Sequence, residues 1–118
     1  MSREVLKSKI HRLTITDANI DYEGSITLDE QLMQAADIVE YEKVLIADVN
    51  NGVRFETYVI KGPAGSGRVC INGAAARLTN IHDLIIVMSF VQLDNSELDK
   101  FKPKIIHVDA NNRLLSKK

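Results

Sequence analysis

The first segment that could carry chemistry is the glycine-rich stretch at residues 62–67, whose backbone N–H groups could cradle a phosphate. Its order, G-P-A-G-S-G, differs from the G-x-G-x-x-G dinucleotide pattern, and no Gly-Lys-Ser/Thr follows it. Both nucleotide motifs also require a helix next, whereas residues 68–71 have the apolar, β-branched character of a strand. We therefore interpret residues 62–67 as a plain loop.

The second candidate is a basic stretch near the N-terminus. On a strand, Lys7, Lys9 and His11 would project from one face, with Arg12 beside them. Such a row could attract an acidic partner, but it is also a common device that keeps a strand edge from pairing wrongly. From these residues alone we favour the edge interpretation.

The third candidate is a predicted strand at residues 53–60. Arg54, Glu56 and Tyr58 would share one face of it, and Thr57 would lie on the other. Taken singly, Arg54 predicts an exposed ion pair and Tyr58 predicts cross-strand packing.

The elements that would position these residues follow from turn chemistry, which recurs at short intervals and predicts many short strands. The Asn51-Gly52 pair between two apolar runs is the strongest short hairpin signal. Asp29 predicts the N-cap of a helix that ends at Ala36, with a capping box starting at Thr27 as the rival. Strands are predicted over residues 5–16, 22–28, 44–49, 53–60, 68–71, 84–93 and 104–108, and further helices over residues 72–78 and 96–101.

Three local details complete this prediction. The alternation of the first strand slips between Ile10 and Leu13, which predicts a bulge. Residues 17–21 are predicted as a turn or loop, Asn72 as a helix N-cap, and the Lys117-Lys118 end as frayed. Six or seven strands with three short helices indicate one mainly β barrel over residues 1–118.

Composition narrows the function further. The chain has 118 residues, 45% of them apolar and 26% charged, and a net charge of -1, which gives no broad attraction to nucleic acid or to a membrane surface. Cys70 is the one cysteine, so we expect no disulfide, no metal site and a reducing, cytosolic setting. The charged N-terminus does not resemble a signal peptide, and the apolar run at residues 84–91 is too short to span a membrane.

A set of short motifs nevertheless occurs together in this chain. They are K-x-H at Lys9 and His11, D-A-N-I-D-Y-E-G-S, N-G-V-R-F-E-T-Y, N-G-A-A-A, and S-F-V at residues 89–91. Together they resemble pyruvoyl-dependent L-aspartate α-decarboxylase over about residues 3–93, and the match fades after Asp94. The resemblance implies a small double-ψ β-barrel with a few short helices, assembled as a homotetramer with active sites shared between subunits.

In that family, the chain cleaves itself at a Gly-Ser bond, here between Gly24 and Ser25. The resemblance implies that Ser25 becomes a covalent pyruvoyl group, with a processing helper as a possible partner. That group takes up the electrons released when L-aspartate loses carbon dioxide, so the implied product is β-alanine for pantothenate and coenzyme A biosynthesis. An ordinary Gly-Ser pair is inert, because exchanging an amide for an ester needs strain and a stabilised oxyanion.

The resemblance also implies roles for individual residues. Thr57 and Asn72 would stabilise the oxyanion of self-cleavage and later place substrate. Tyr58 would return a proton to the α-carbon as a general acid, and Tyr22 would help orient the cleavage point. The residues implied to bind the substrate are Lys9, His11, Arg54, Thr57 and Asn72, together with the backbone N–H groups of Gly73, Ala74 and Ala75 at a helix N-terminus.

One alternative stays open at this point. The chain could be a non-catalytic small β-barrel that binds an acidic partner through its basic N-terminal strand. The covalent state of residue 25 would distinguish the two hypotheses.

Overall fold

The computed structural model describes residues 1–115, so the predicted fraying of Lys117 and Lys118 lies outside the described part. The strands are β1 (Ser2–Thr14), β2 (Asp17–Asn19), β3 (Ser25–Asp29), β4 (Lys43–Asp48), β5 (Arg54–Gly62), β6 (Val69–Asn72), β7 (Leu84–Asp94) and β8 (Lys104–His107). The helices are α1 (Glu30–Ala36), a 3₁₀ helix (Gly73–Arg77) and α2 (Asn95–Leu98). The prediction of a mainly β fold with a few short helices is confirmed. No helix in the described part is long and apolar enough to cross a membrane.

The strands form one mixed sheet in the order β2-β6-β3-β5-β4-β7-β1-β8. β3 lies between β6, with which it is antiparallel, and β5, with which it is parallel. The prediction of a loop at residues 17–21 is wrong at its start, because β2 pairs in parallel with β6. Asp17, Ala18 and Asn19 carry no local strand signal, and this pairing depends on a strand that is distant in sequence.

The first strand has the predicted bulge. Its register against β7 shifts between Ile10 and Leu13, where Arg12 adopts a φ of 62°. A second shift between Leu6 and Ser8 was not predicted. The bulges let one strand of 13 residues curve around the core while it keeps its pairing.

The core is built from buried aliphatic side chains on the inner faces of the strands. Strand β7 is buried on one face only: Ile85 and Val87 are fully buried, whereas Phe90 is 41% exposed. The other buried members include Ile10, Leu13, Ile15, Ile26, Leu28, Ile46, Val59 and Ile71. One face of the sheet therefore packs against the core, and the side chains at alternate positions along each strand lie on the outer face.

Two local predictions agree closely with the structure. In the hairpin between β4 and β5, Gly52 has a φ of 77°, a conformation that glycine adopts without strain. Asp29 caps α1, since its Oδ1 accepts the Gln31 N–H at 2.8 Å, and the rival start at Thr27 is wrong. The cap fixes where β3 ends and α1 begins.

Candidate functional site

The Gly24-Ser25 peptide lies at the entry to β3. Ser25 is 1% exposed, and its Oγ donates to the Glu23 carbonyl at 3.0 Å. A hydroxyl that reaches the carbonyl two residues earlier must fold back over the intervening Gly24 residue. The hydrogen bond therefore keeps the Ser25 hydroxyl turned back toward the backbone that precedes it.

Asn72 provides the second contact to this hydroxyl. It is the register partner of Ser25 on β6, and its side chain is 3% exposed. Its Nδ2 donates to Ser25 Oγ and to Thr27 Oγ1, each at 3.0 Å. Asn72 holds the predicted N-cap position of the helix that follows, but its side chain makes no capping hydrogen bond and binds the two hydroxyls instead. Its amide is thus committed to the Gly-Ser segment.

Gly73 allows the chain to approach Gly24 closely. It has a φ of 77°, and a Cβ at this position would lie 2.6 Å from Gly24 Cα and 2.8 Å from Gly24 N. Such contacts are far inside van der Waals distance. The helix predicted at residues 72–78 is a 3₁₀ helix of five residues, so Gly73, Ala74 and Ala75 form its first turn directly beside the Gly-Ser segment.

Tyr22 and Thr27 join this group around a small cavity. The cavity has a volume of about 250 Å³ and is also bordered by Asn72 and Arg68. Tyr22 is 52% exposed, so it lies at the mouth of the cavity. Thr27 and Arg68 were not among the predicted site residues. Thr27 could have been found from strand alternation, since it shares a face with Ser25 two positions earlier.

Thr57 and Tyr58 lie near the same level of the sheet but face another space. The parallel register that pairs Ile26 with Val59 places Tyr58 level with Ser25. Both side chains border a separate cavity of about 380 Å³, together with Lys43 and Glu56. The Tyr58 ring also packs against Tyr41, with 6.3 Å between centroids. One chain thus brings Thr57 and Tyr58 level with the Gly24-Ser25 segment without enclosing a joint pocket.

Arg54 lies at the hairpin end of β5, away from Ser25. It pairs with Ala47 and precedes Tyr58 by four residues, which corresponds to about 13 Å along a strand. Its guanidinium therefore does not belong to the Ser25 group within one chain.

Lys9 and His11 also lie elsewhere, on β1, which three strands separate from β3 in the sheet order. The edge interpretation of these residues is wrong, because Lys9 pairs with Met88 on one side and with Ile105 on the other. The His11 ring contacts His107 edge to face at 5.7 Å. Burial, and after it the charges of Lys9, His107 and Arg12, lower the pKa of His11. A larger share of its imidazole is consequently neutral at neutral pH.

Lys7, the first member of the basic row, is occupied within the chain. Its ammonium forms an ion pair with Glu42 at 2.8 Å and donates to the Asp37 carbonyl. The row therefore does not present three free cations on one face.

The glycine-rich loop binds an internal carboxylate. The N–H groups of Gly65 and Gly67 each donate to Asp29 at 2.9 Å, which leaves these two donors engaged within the chain. Burial alone would raise the pKa of Asp29, but the hydrogen bonds from Gly67, Gly65 and Gln31 outweigh it, and with Arg113 they lower the pKa. The plain-loop interpretation agrees with this geometry.

Comparison with known proteins identifies a matching family and similar sequences. The family model described as aspartate decarboxylase matches residues 1–115. The aspartate 1-decarboxylase of Acetivibrio thermocellus is 58% identical over 112 residues, which cover 95% of this chain and 89% of that protein. The enzyme of the same name from Corynebacterium efficiens is 53% identical over 116 residues, covering 98% and 85%. The matches continue well beyond Asp94, so the expectation that the resemblance fades there is wrong.

A solved structure supports the fold independently. The rationally designed double-ψ β-barrel protein mkDPBB_sym_86 superposes with a TM-score of 0.50 and 12% sequence identity, covering 69% of this chain and 94% of that one. This likeness concerns the fold alone, and the predicted double-ψ β-barrel is confirmed.

Proposed function

Since this chain belongs to the aspartate decarboxylase family, we propose that it converts L-aspartate to β-alanine and carbon dioxide through a pyruvoyl group formed from its own Ser25. The observation that carries this proposal is the enclosure of the Ser25 hydroxyl between the Glu23 carbonyl and the Asn72 amide, next to a glycine that admits close backbone approach. We place the reaction in the cytoplasm, in pantothenate and coenzyme A biosynthesis.

Self-cleavage begins with the hydroxyl of Ser25. Its oxygen forms a bond to the carbonyl carbon of Gly24 while the C–N bond to Ser25 breaks, so an amide becomes an ester and the nitrogen takes the proton. Loss of the Ser25 α-proton then expels the Gly24 carboxylate. The resulting dehydroalanine is hydrolysed with release of ammonia, which leaves residues 1–24 as one chain and residues 25–118 as the other.

The surroundings of Ser25 fit this sequence of steps. The hydroxyl is buried, so water competes poorly for it, and the Asn72 Nδ2 can follow the oxygen as it moves toward the carbonyl. Thr57 lies on the neighbouring strand at the level of Gly24, where it could stabilise the oxyanion. Tyr22 lies at the mouth of the adjoining cavity, two residues before the cleavage point.

Asn72 and several further residues then serve the decarboxylation of the substrate. The pyruvoyl group supplies a ketone conjugated to a carbonyl, an electron sink that no ordinary side chain offers. Tyr58, level with residue 25, delivers a proton to the substrate α-carbon. Asn72 and the N–H groups of Gly73, Ala74 and Ala75 place the substrate, and Arg54 binds one of its carboxylates through its fixed guanidinium fork.

The distances within one chain favour a site shared between copies. Arg54 lies about 13 Å along β5 from the level of Ser25, and Lys9 and His11 lie three strands away. A closed homotetramer would let a neighbouring copy supply these cations to the cavity bordered by Tyr22, Thr27 and Asn72. We propose such a tetramer, with a helper protein as a possible partner in processing.

The alternative of a non-catalytic barrel that binds an acidic partner receives no support from a specific observation. Lys7 is paired with Glu42, and the strand that carries Lys9 and His11 is paired on both sides.

Mass spectrometry of the purified, aged protein tests the proposal. We expect two chains that divide between Gly24 and Ser25, with the larger one carrying a pyruvoyl group and therefore resisting Edman degradation. The Ser25→Ala variant is the matched control, since it removes one oxygen and should fold but remain whole. An intact parent chain after prolonged warm incubation, with or without cell extract, contradicts the proposal.

A further inference from the structure

Cys70 makes a buried hydrogen bond for which self-cleavage as described above has no use. Its Sγ lies 3.2 Å from Asn72 Oδ1, and the two side chains are 1% and 3% exposed. They stand two residues apart on β6, so they share one face of the strand. The thiol thus contacts the end of the amide opposite to the one that reaches Ser25.

The two hydroxyls that contact Asn72 do not alone determine which way its amide points. Thr27 can donate or accept, and Ser25 could donate to a reversed amide only by giving up its hydrogen bond to the Glu23 carbonyl. A thiol is chiefly a donor, and it favours the carbonyl end of the amide. The orientation that turns Nδ2 toward Ser25 is therefore favoured by the Cys70 thiol together with the Ser25–Glu23 hydrogen bond.

We infer that Cys70 is a positioning residue for self-cleavage, which acts by holding the Asn72 amide with Nδ2 toward Ser25 Oγ. This inference rests on the proposed function. With the amide reversed, the Ser25 hydroxyl would donate to Asn72 Oδ1 instead of the Glu23 carbonyl, and its oxygen would turn away from the Gly24 carbon that it must attack.

The neighbours of Cys70 keep its proton available for this bond. Burial, and after it the nearby Asp17, raise the pKa of the Cys70 thiol, although Arg68 opposes them. The thiol therefore stays protonated at neutral pH. Asp17 is the register partner of Cys70 on β2, and its carboxylate pairs with the Arg68 guanidinium at 3.4 Å. Asp17 and Arg68 thus act on the thiol in opposite directions, and burial keeps it protonated.

The kinetic test compares two substitutions of Cys70. Cys70→Ala removes the donor, whereas Cys70→Ser keeps a donor at nearly the same place. We expect the first-order rate of self-cleavage in Cys70→Ala to fall about threefold to tenfold, as for the loss of one neutral hydrogen bond, and the rate in Cys70→Ser to stay near the parent value. Thermal midpoints measured in parallel separate this effect from a general loss of stability.

Two kinetic results overturn the inference. One is a Cys70→Ala variant that cleaves as fast as the parent, and the other is a Cys70→Ser variant as slow as Cys70→Ala. A parent chain that does not cleave at all contradicts the proposed function instead, so the two failures are distinguishable.

A spectroscopic test reads the hydrogen bond without any cleavage. Cys70 is the only cysteine in the sequence, so the infrared spectrum contains one S–H stretching band. In the uncleaved Ser25→Ala protein, we expect the added substitution Asn72→Ala to move this band to higher frequency, because the thiol loses its acceptor. An unmoved band overturns the inference even if the Cys70→Ala chain proves too unstable for kinetics.

Discussion

Replacing Gly73 by alanine is the sharpest steric test of the candidate site. The new Cβ would lie 2.6 Å from Gly24 Cα, whereas carbon atoms in contact stand about 3.5–4.0 Å apart. Relief of the collision therefore requires the two segments to separate by about 1 Å. A misplacement of this size can cost about a hundredfold in rate, so we expect self-cleavage in Gly73→Ala to slow by about that factor.

The backbone strain of this substitution has a matched control. Gly52 has the same φ of 77°, but a Cβ there would meet nothing within 4 Å. Alanine in this left-handed conformation costs about 1–2 kcal/mol at either position. A difference in cleavage rate between Gly52→Ala and Gly73→Ala therefore reports the collision with Gly24.

The assay is a time course of freshly purified precursor, with cleavage followed by mass spectrometry and folding by circular dichroism. We expect both variants to fold, because a domain of this size is stabilised by about 5–15 kcal/mol. Equal cleavage rates in Gly73→Ala and Gly52→Ala would refute the argument that close approach of Gly73 to Gly24 positions the scissile peptide.

Three further predictions concern other residues. Tyr58→Phe should leave cleavage intact but lower β-alanine production by about a hundredfold or more, whereas Thr57→Val should impair cleavage itself. Fragment ratios and product chromatography on the same samples check both variants. Turnover at the parent rate in Tyr58→Phe refutes the proton-donor role. Burial, and after it the neighbouring Asp83 carboxylate, raise the pKa of Asp48, so its contribution to stability is present below the unfolded pKa and is lost as pH rises through the folded pKa. Asp48→Asn, which brings its own N–H, should therefore gain stability over the parent on the alkaline side, by about 1 kcal/mol in urea titrations, and an equal deficit at every pH contradicts this. The stability contribution of Asp29 has the opposite pH dependence, because its pKa is lowered: it is present above the unfolded pKa and is lost as pH falls through the folded pKa. Asp29→Asn should therefore flatten the acid limb of the curve of unfolding free energy against pH, and an unchanged acid limb counts against this.

Local chemistry explains the parts of the fold that sequence could predict. The Asn51-Gly52 turn and the Asp29 cap depend on residues within a few positions of one another, and both appear as predicted. β2 was missed because its three residues, two polar ones and an alanine, become a strand only by pairing with β6, about fifty residues later. Prediction succeeded where the determining partner was close in sequence.

The contacts of the candidate site likewise depend on residues that are distant in sequence. Asn72 has the residue type of a helix cap, but the hydroxyl that its amide binds belongs to Ser25, 47 positions earlier in the chain. The space that Gly73 leaves open is likewise filled by the backbone of Gly24. The resemblance to a family supplied the names of these residues, while their contacts depend on how β3 and β6 meet.

The pairing of β1 has a consequence for the molecularity of unfolding. β1 and β2 both precede Gly24, yet β1 pairs with β7 from Ser2 to Thr14, and it contributes Ile10 and Leu13 to the core. A chain broken after Gly24 is therefore a two-component complex whose smaller component is held by strand pairing and apolar burial. Its melting temperature should rise more steeply with protein concentration than that of the precursor, because its unfolding separates one more component for every subunit. Dilution after denaturation would let the precursor refold by itself, while the cleaved pair would have to find each other again, so the time at which the bond breaks also sets how reversible unfolding is.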